Sequence, residues 1–296
     1  MDNAALVQIA GNTWLLPGPT NVGLSIDGSS AILIDSGNDK DAGRKMLKLL
    51  AEKAWTLKAI INTHSNADHI GANGYLQTAT GCEIWATAGE SALIENPALE
   101  SSLLWGGYPF RELRSKFFEA KPSKVTRLIG RDRFDGNFTF IPLPGHFIDM
   151  TGILTGDGVF FLGDSLFGEK ILEKYPIPFI YDIKAFTRSL DALSSVDAAW
   201  FVPSHGEVGS SIGRLAAINR GRVEDIVATI LGLLGKPLAF EELLAETASA
   251  YGIGLDYAQY ALAGSTIRSF LSYLKDSGKA QFRFEGNRML WSGRAD

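Results

Sequence analysis

The stretch that decides the fold is His64-Ser65-Asn66-Ala67-Asp68-His69, which comes directly after the apolar run Leu57-Lys58-Ala59-Ile60-Ile61 and its exit Asn62-Thr63. An apolar, β-branched run bounded by small polar residues reads as a strand. The two imidazoles and the carboxylate therefore occupy a strand-end loop that runs into a helix at Ile70-Gly71. The same arrangement recurs outward in both directions. Ala31-Ile32-Leu33-Ile34 ends at Asp35-Ser36-Gly37, Phe138-Thr139-Phe140-Ile141 reaches Pro144-Gly145-His146, Val159-Phe160-Phe161-Leu162 ends at Gly163-Asp164, and Ala199-Trp200-Phe201-Val202-Pro203 leads to Ser204-His205-Gly206. All four histidines of the chain, His64, His69, His146 and His205, sit in such loops. A lone histidine is more often a hydrogen-bonded structural residue than a ligand, but four of four at strand ends make that reading poor.

Strand ends can converge on one edge of a sheet, and Asp68 and Asp164 then stand among the imidazoles. A divalent ion of zinc type takes imidazole and carboxylate ligands, and a hydrolytic site leaves one position for water. The remaining sequence is consistent with an enzyme of this kind. Its 296 residues, 46% hydrophobic and 21% charged, suffice for a large core and exclude disorder. A net charge of −5 lacks the positive excess of a general nucleic-acid binder. Cys82 is the sole cysteine, so neither an intrachain disulfide nor a cysteine-based zinc knuckle can form; it reads as a buried strand residue. The opening Met1-Asp2-Asn3-Ala4-Ala5-Leu6 has neither a basic segment nor a sustained apolar one, and the chain contains no run of 18 apolar residues. The expectation is a cytoplasmic protein with no membrane span.

Helical spacing of apolar residues places helices near 40–54, 70–79, 110–120, 184–195 and 208–234, alternating with the strands. Helices then dominate, near 240–249 and 256–276, before an alternating hairpin around Glu285-Gly286-Asn287 within 281–291. Three helices and a terminal hairpin resemble a winged helix. The division is set at 1–214 and 215–296, and the second part carries as many acidic as basic residues.

In this order the motifs resemble the metallo-β-lactamase superfamily, whose signature is His-x-His-x-Asp-His, then an isolated His, a bridging Asp and a last His. The resemblance spans roughly residues 5–210: His64, Asp68 and His69 fit the first motif, Pro144-Gly145-His146 the isolated His, Gly163-Asp164 the bridging Asp, and Ser204-His205-Gly206 the last His. Asp35-Ser36-Gly37 is similar to the family's early Asp-x-Gly turn. The resemblance implies an α+β fold, a four-layer αβ/βα sandwich with a C-terminal winged-helix-like part. It also implies one metal pocket at His64, position 66 and His146 and another at Asp68, His69 and His205, with Asp164 between them. The tail from Asn219-Arg220-Gly221-Arg222 onward is similar to the β-lactamase-like protein 2 group, which includes ribonucleases.

One position departs from the family pattern. Asn66 stands where the second histidine belongs, and its amide oxygen is a far poorer zinc ligand than imidazole. The expected site is therefore asymmetric, with an ion at Asp68, His69, Asp164 and His205 and a neighbouring pocket weakly filled or empty. His64 and His146 then serve as hydrogen-bond donors or a general base, beside Asp68 as the residue that orients the nucleophile. Zinc is the expected ion, one or two per chain, with iron or manganese as alternatives. The expected reaction is hydrolysis of an ester, thioester, amide or phosphoester of a small molecule. The alternatives are a single-strand ribonuclease and a non-catalytic metal-binding regulatory protein; a homodimer is possible. A β-lactamase is disfavoured by Asp164, where those enzymes commonly carry cysteine.

Two other segments bear on the substrate. Residues 111–133 carry Arg111, Arg114, Lys116, Lys121, Lys124, Arg127, Arg131 and Arg133 against three acids, an excess of +5 that suits an anionic substrate or simply a solvated face. The aromatic stretches 105–110 and 175–181 read as loops, the second as a wall of an apolar pocket, a dimer face or plain core.

Overall fold

The computed structural model describes residues 5–294; Met1–Ala4, the start of the segment read above for a leader, and Ala295–Asp296, the end of the 215–296 part, lie outside the described residues. The first sheet comprises β1 (Val7–Ala10), β2 (Thr13–Leu16), β3 (Val22–Asp27), β4 (Ser30–Ile34), β5 (Thr56–Ile61), β6 (Glu83–Ala86) and β7 (Arg127–Leu128), in that spatial order. Its pairs are antiparallel from β1 to β4 and parallel from β4 to β7. The second sheet holds β8 (Phe138–Pro142), β9 (Thr151–Thr155), β10 (Val159–Phe161) and β11 (Trp200–Val202), ordered β11-β10-β9-β8.

Period-two alternation explains why the sheets stack. Ile32, Ile34, Ala59 and Ile61 face Ile153, Val159, Phe161 and Val202 of the second sheet. The intervening Ala31, Leu33 and Ile60 face Met46 and Leu50 of α1 (Lys40–Glu52) and Ala72 and Leu76 at and within α3 (Asn73–Thr80). On the far side, Phe160 and Phe201 pack with Phe186 and Leu190 of α7 (Ile183–Leu193). The layers thus run helix, sheet, sheet, helix. Between these lie α2 (Ala67–Ile70), α4 (Ala88–Glu95), α5 (Ala98–Trp105) and α6 (Glu169–Lys174).

Downstream, α8 (Gly213–Leu233), α9 (Phe240–Ala250) and α10 (Tyr257–Asp276) join a three-stranded sheet. Its strands are β12 (Leu238–Ala239), β13 (Ala280–Glu285) and β14 (Arg288–Gly293), with the expected hairpin turning at Gly286-Asn287. Ile226, Ile230, Ile267, Phe270 and Leu274 of these helices belong to the same apolar cluster as Phe160 and Leu162. The C-terminal helical region therefore shares a core with the second sheet, and residue 214 falls in the first turn of α8.

Two expectations need correction. The helix placed at 110–120 is a 3₁₀ turn, Arg111–Arg114, continued by irregular chain. There Lys116 is drawn away to Asp39 at 2.9 Å and Phe118 is buried beside an exposed Phe117, so tertiary contacts override the local period. The stretch 105–110 is not wholly loop either, since Trp105 ends α5. No helix among the described residues is long and apolar enough to cross a membrane.

Candidate metal centre

In the first sheet β4, β5 and β6 run in parallel, so Asp35 after β4 and His64 after β5 emerge at one edge. In the second sheet β10 parallels β11 and is two antiparallel steps from β8. Asp164, His205 and His146 therefore leave at a common edge as well. The edges are tied together by Thr151 N–H donating to Thr63 O at 2.9 Å and Asn21 N–H to Ser204 O at 2.9 Å. Gly145, with φ at +128°, lets the turn before His146 lie against the start of α7, where a Cβ would come within 2.1 Å of Phe186 N.

Each imidazole is held at its Nδ1. His69 meets Asp35 Oδ2 at 2.8 Å, His146 meets Phe179 O at 2.9 Å, His205 meets Pro19 O at 2.7 Å, and His64 meets Thr63 Oγ1 at 3.0 Å. The Thr63 hydroxyl donates its only proton to Asp35 Oδ2, so toward His64 its oxygen accepts. All four partners are thus acceptors. For His64, His69 and His205 this assigns the proton to Nδ1 and turns the Nε2 lone pair inward, the orientation a histidine ligand requires; His146 meets an acceptor, Asn66 Oδ1, at Nε2 as well.

The inward atoms converge. His205 Nε2 lies 3.1 Å from Asp68 Oδ2 and 3.3 Å from Asp164 Oδ2; His69 Nε2 lies 3.4 Å from Asp164 Oδ1 and 3.8 Å from Asp68 Oδ2; His146 Nε2 is 3.6 Å from Asp164 Oδ2. Two sets, His64/His146/Asp164 and Asp68/His69/His205, each hold one ligand atom per residue within 4.8 Å of the others. His64 Nε2, His69 Nε2 and Asp164 Oδ1 are buried without a hydrogen-bond partner. Orphaned buried acceptors are costly, and a shared cation is the group that satisfies them. The donor set fits a divalent ion.

The two halves differ electrostatically. Burial works against charge on His69, but Asp68, Asp164 and Asp35 outweigh it and hold the ring well above its usual range. His205 is likewise pushed up to about 10, burial being overcome by Asp164 and Asp68. Despite its burial, Asp164 is held well below the carboxylate range by His205 and His69. On the other side, burial above all, then the neighbouring rings of His69 and His146, press His64 well below its usual value. Positive charge is attracted to the Asp68/His69/His205 half.

Asn66 occupies the N-cap position of the short helix α2 without a side-chain capping bond. Its Oδ1 lies 2.8 Å from His146 Nε2, and its Nδ2 donates to Glu100 Oε1 at 2.6 Å. Glu100 and Glu90 went unread in the sequence because each lies in a short apolar helix whose inward face they break. Burial raises the Glu100 carboxyl well above its usual range and Glu90 to about 7. Glu90 accepts from Ser65 N at 3.0 Å and Asp149 N at 2.7 Å, clamping two site loops together. Thr20, also unread, donates to Asp68 Oδ2 at 2.8 Å.

A cavity of about 630 Å³ opens onto Asp68, His146, Asp164 and His205. Of the basic run 111–133 only Lys116 lines it, whereas Arg127, Arg131 and Arg133 pair with Glu83, Asp132 and Asp135. The stretch 175–181 does wall the cavity, through Tyr175, Ile177, Pro178 and Phe179. The 105–110 aromatics lie elsewhere, Trp105 and Phe110 meeting edge-on at 5.1 Å.

Among curated proteins, 130 residues of this chain are 28% identical to a hydroxyacylglutathione hydrolase of Rhodopseudomonas palustris, covering 44% of this chain and 42% of that one. A second hydroxyacylglutathione hydrolase, from Rhodospirillum rubrum, is 32% identical over 68 residues, 23% of this chain and 26% of its own. The chain thus spans less than half the length of these curated relatives. Among solved structures, a metallo-beta-lactamase family protein of Thermus thermophilus is similar with a TM-score of 0.76 and 20% identity, covering 96% of this chain and 99% of that one. That likeness shows the fold. The family model of the metallo-beta-lactamase superfamily matches residues 15–205, every candidate ligand included. With strand ends, inward imidazoles and this match in agreement, the chain belongs to the metallo-beta-lactamase superfamily.

Proposed function

We propose that the protein is a metal-dependent hydrolase of small esters or thioesters, with one ion, most simply zinc, held by Asp68, His69, Asp164 and His205. The observation that carries this reading is the shared orientation of His69 and His205, each with Nδ1 on an acceptor and Nε2 toward the two carboxylates of Asp68 and Asp164. The one-ion form is supported by the charge asymmetry and by the engagement of His146 Nε2 with Asn66. When bound, such an ion acidifies a water and polarises the scissile bond. Asp68 is the most exposed of the six residues, at 35%, and steadied by Thr20, so it orients the attacking water from the cavity wall. Asp35, Pro19 O and Phe179 O keep the rings from turning. His64 and His146 form the neutral side of the pocket, where His146 can hand a proton to a departing group.

The relatives named hydroxyacylglutathione hydrolases favour a thioester. Residues 1–214 carry the ligands, and residues 215–296, a winged-helix-like part of the β-lactamase-like protein 2 type in this reading, close one side of the cavity. A ribonuclease is less well supported: Arg283 and Arg288 on the hairpin are engaged by Glu285 and Glu242. The test is turnover of generic ester, thioester and phosphodiester substrates by zinc-loaded protein, with Asp68→Ala as control. Thioester or ester turnover abolished by that change is expected; a folded, metal-loaded protein inert on all three classes overturns the reading in favour of a non-catalytic metal-binding role.

A further inference from the structure

The cavity that reaches the candidate ligands is walled by carbon. Leu104, Phe118, Phe167, Ile177 and Phe179 line it, and the first four are nearly inaccessible to solvent, so these walls are packed in place. Phe167 and Phe179 stand against His146 with ring centroids 5.6 and 5.5 Å away. The apolar surface therefore begins directly beside the candidate reacting centre. Leu262 and Ala258 of α10 also line it, packed with Leu104, Phe118 and Phe179, and Phe117 lines it with 64% of its surface exposed.

Three polar side chains of the same cavity are already engaged with protein partners. Thr20 donates to Asp68, Asn66 bridges His146 and Glu100, and Lys116 is paired with Asp39. A hydroxyl on the acyl group beside Thr20 and Asn66 would find their polar atoms occupied and stay unpaired, which such a site disfavours. Lys174 lies over the Tyr175 ring at 4.9 Å.

Resting on the hydrolase reading above, we propose that the bond cleaved belongs to an ester or thioester of an apolar, unhydroxylated acid. Its hydrocarbon body lies between Phe117, Phe167, Phe179 and Leu262. A volume of about 630 Å³ accommodates such a chain, within the roughly 300–1,000 Å³ of ordinary small-molecule sites. Buried apolar surface then supplies the selectivity, about fourfold in kcat/KM for each methylene accommodated.

The experiment uses zinc-loaded full-length protein and acetyl, butanoyl, hexanoyl and octanoyl thioesters of N-acetylcysteamine, with 2-hydroxyoctanoyl as the polar comparison. In parallel, calorimetry compares octanoate with butanoate as ligands. The expected result is a kcat/KM that climbs about fourfold per methylene until the cavity fills, with the hydroxyacyl ester at least tenfold poorer than octanoyl. Leu262→Trp, and independently Ala258→Trp, should lower the octanoyl-to-acetyl ratio by tenfold or more. A flat series with Asp68-dependent turnover overturns the acyl proposal and leaves the hydrolase reading standing. Absence of turnover on every substrate sinks the hydrolase reading. Calorimetry then decides the pocket by itself, since octanoate binding no tighter than butanoate refutes it.

Discussion

Replacing Asp35 with Asn tests how the ring of His69 is held. Asp35 has φ at +61°, a left-handed conformation that Asn tolerates as well as any residue with a side chain, so the backbone is not the variable. Its carboxylate accepts three donors: Thr63 N–H at Oδ1, and Thr63 Oγ1–H and His69 Nδ1–H at Oδ2. An amide offers one oxygen. If that oxygen faces His69, the new NH₂ confronts the Thr63 N–H and the fold loses about 1–3 kcal/mol. If it faces Thr63 N–H, the NH₂ confronts Nδ1 of His69, whose proton moves to Nε2 and points into the site. Metal affinity then falls about 10–100-fold. The assay pairs urea unfolding of the metal-depleted protein with zinc titration against a competing chelator. Unchanged stability together with unchanged zinc affinity would refute the reasoning, because one of the two donors must lose its partner.

Other contacts give further expected outcomes. Asn66→His should raise the metal content from one ion to two per chain by elemental analysis, since His64, His146 and Asp164 already converge; a content that stays at one would contradict the account of asymmetry. Gly145→Ala adds a Cβ 2.1 Å from Phe186 N at φ +128°. It should cost about 3 kcal/mol or more in thermal unfolding, and a change within about one degree of wild type would show that the turn yields freely. Glu90 is pushed up to about 7 from 4.5 by burial. The stability it confers is present below pH 4.5 and is lost as pH rises through about 7. Unfolding curves of wild type and Glu90→Gln should therefore shift in favour of the Gln variant across that interval, and a constant gap would assign the carboxyl an ordinary titration.

The residues that were legible in the sequence share one property: they come after strands. Ile32, Ile34 and Ile61 alternate cleanly enough to mark β4 and β5, and a polar residue just past such a run must sit at a sheet edge. That reasoning finds His64, Asp68, His69, His146, Asp164 and His205 without any knowledge of packing. It fails where a polar residue points inward from a helix. Glu90 and Glu100 lie in α4 and α5, eight-residue helices with no apolar stripe to announce them, and their significance comes from partners distant in the chain, Asp149 and Asn66. An acid inside a short helix with apolar residues on both sides, as in Ala98-Leu99-Glu100-Ser101-Ser102-Leu103-Leu104, was the available signal. Of the eight basic residues in 111–133, Lys116, Arg127, Arg131 and Arg133 pair with nearby carboxylates, and only Lys116 lines the cavity, which favours the solvated-face reading of that run over an anion site.

The most direct test of the central claim is an anomalous-difference map at the zinc edge from crystals of protein purified without added metal. The account predicts one peak per chain, within coordination distance of His69 Nε2, His205 Nε2, Asp68 and Asp164. A map with no peak among those four residues, or with its strongest peak between His64 and His146, would contradict it.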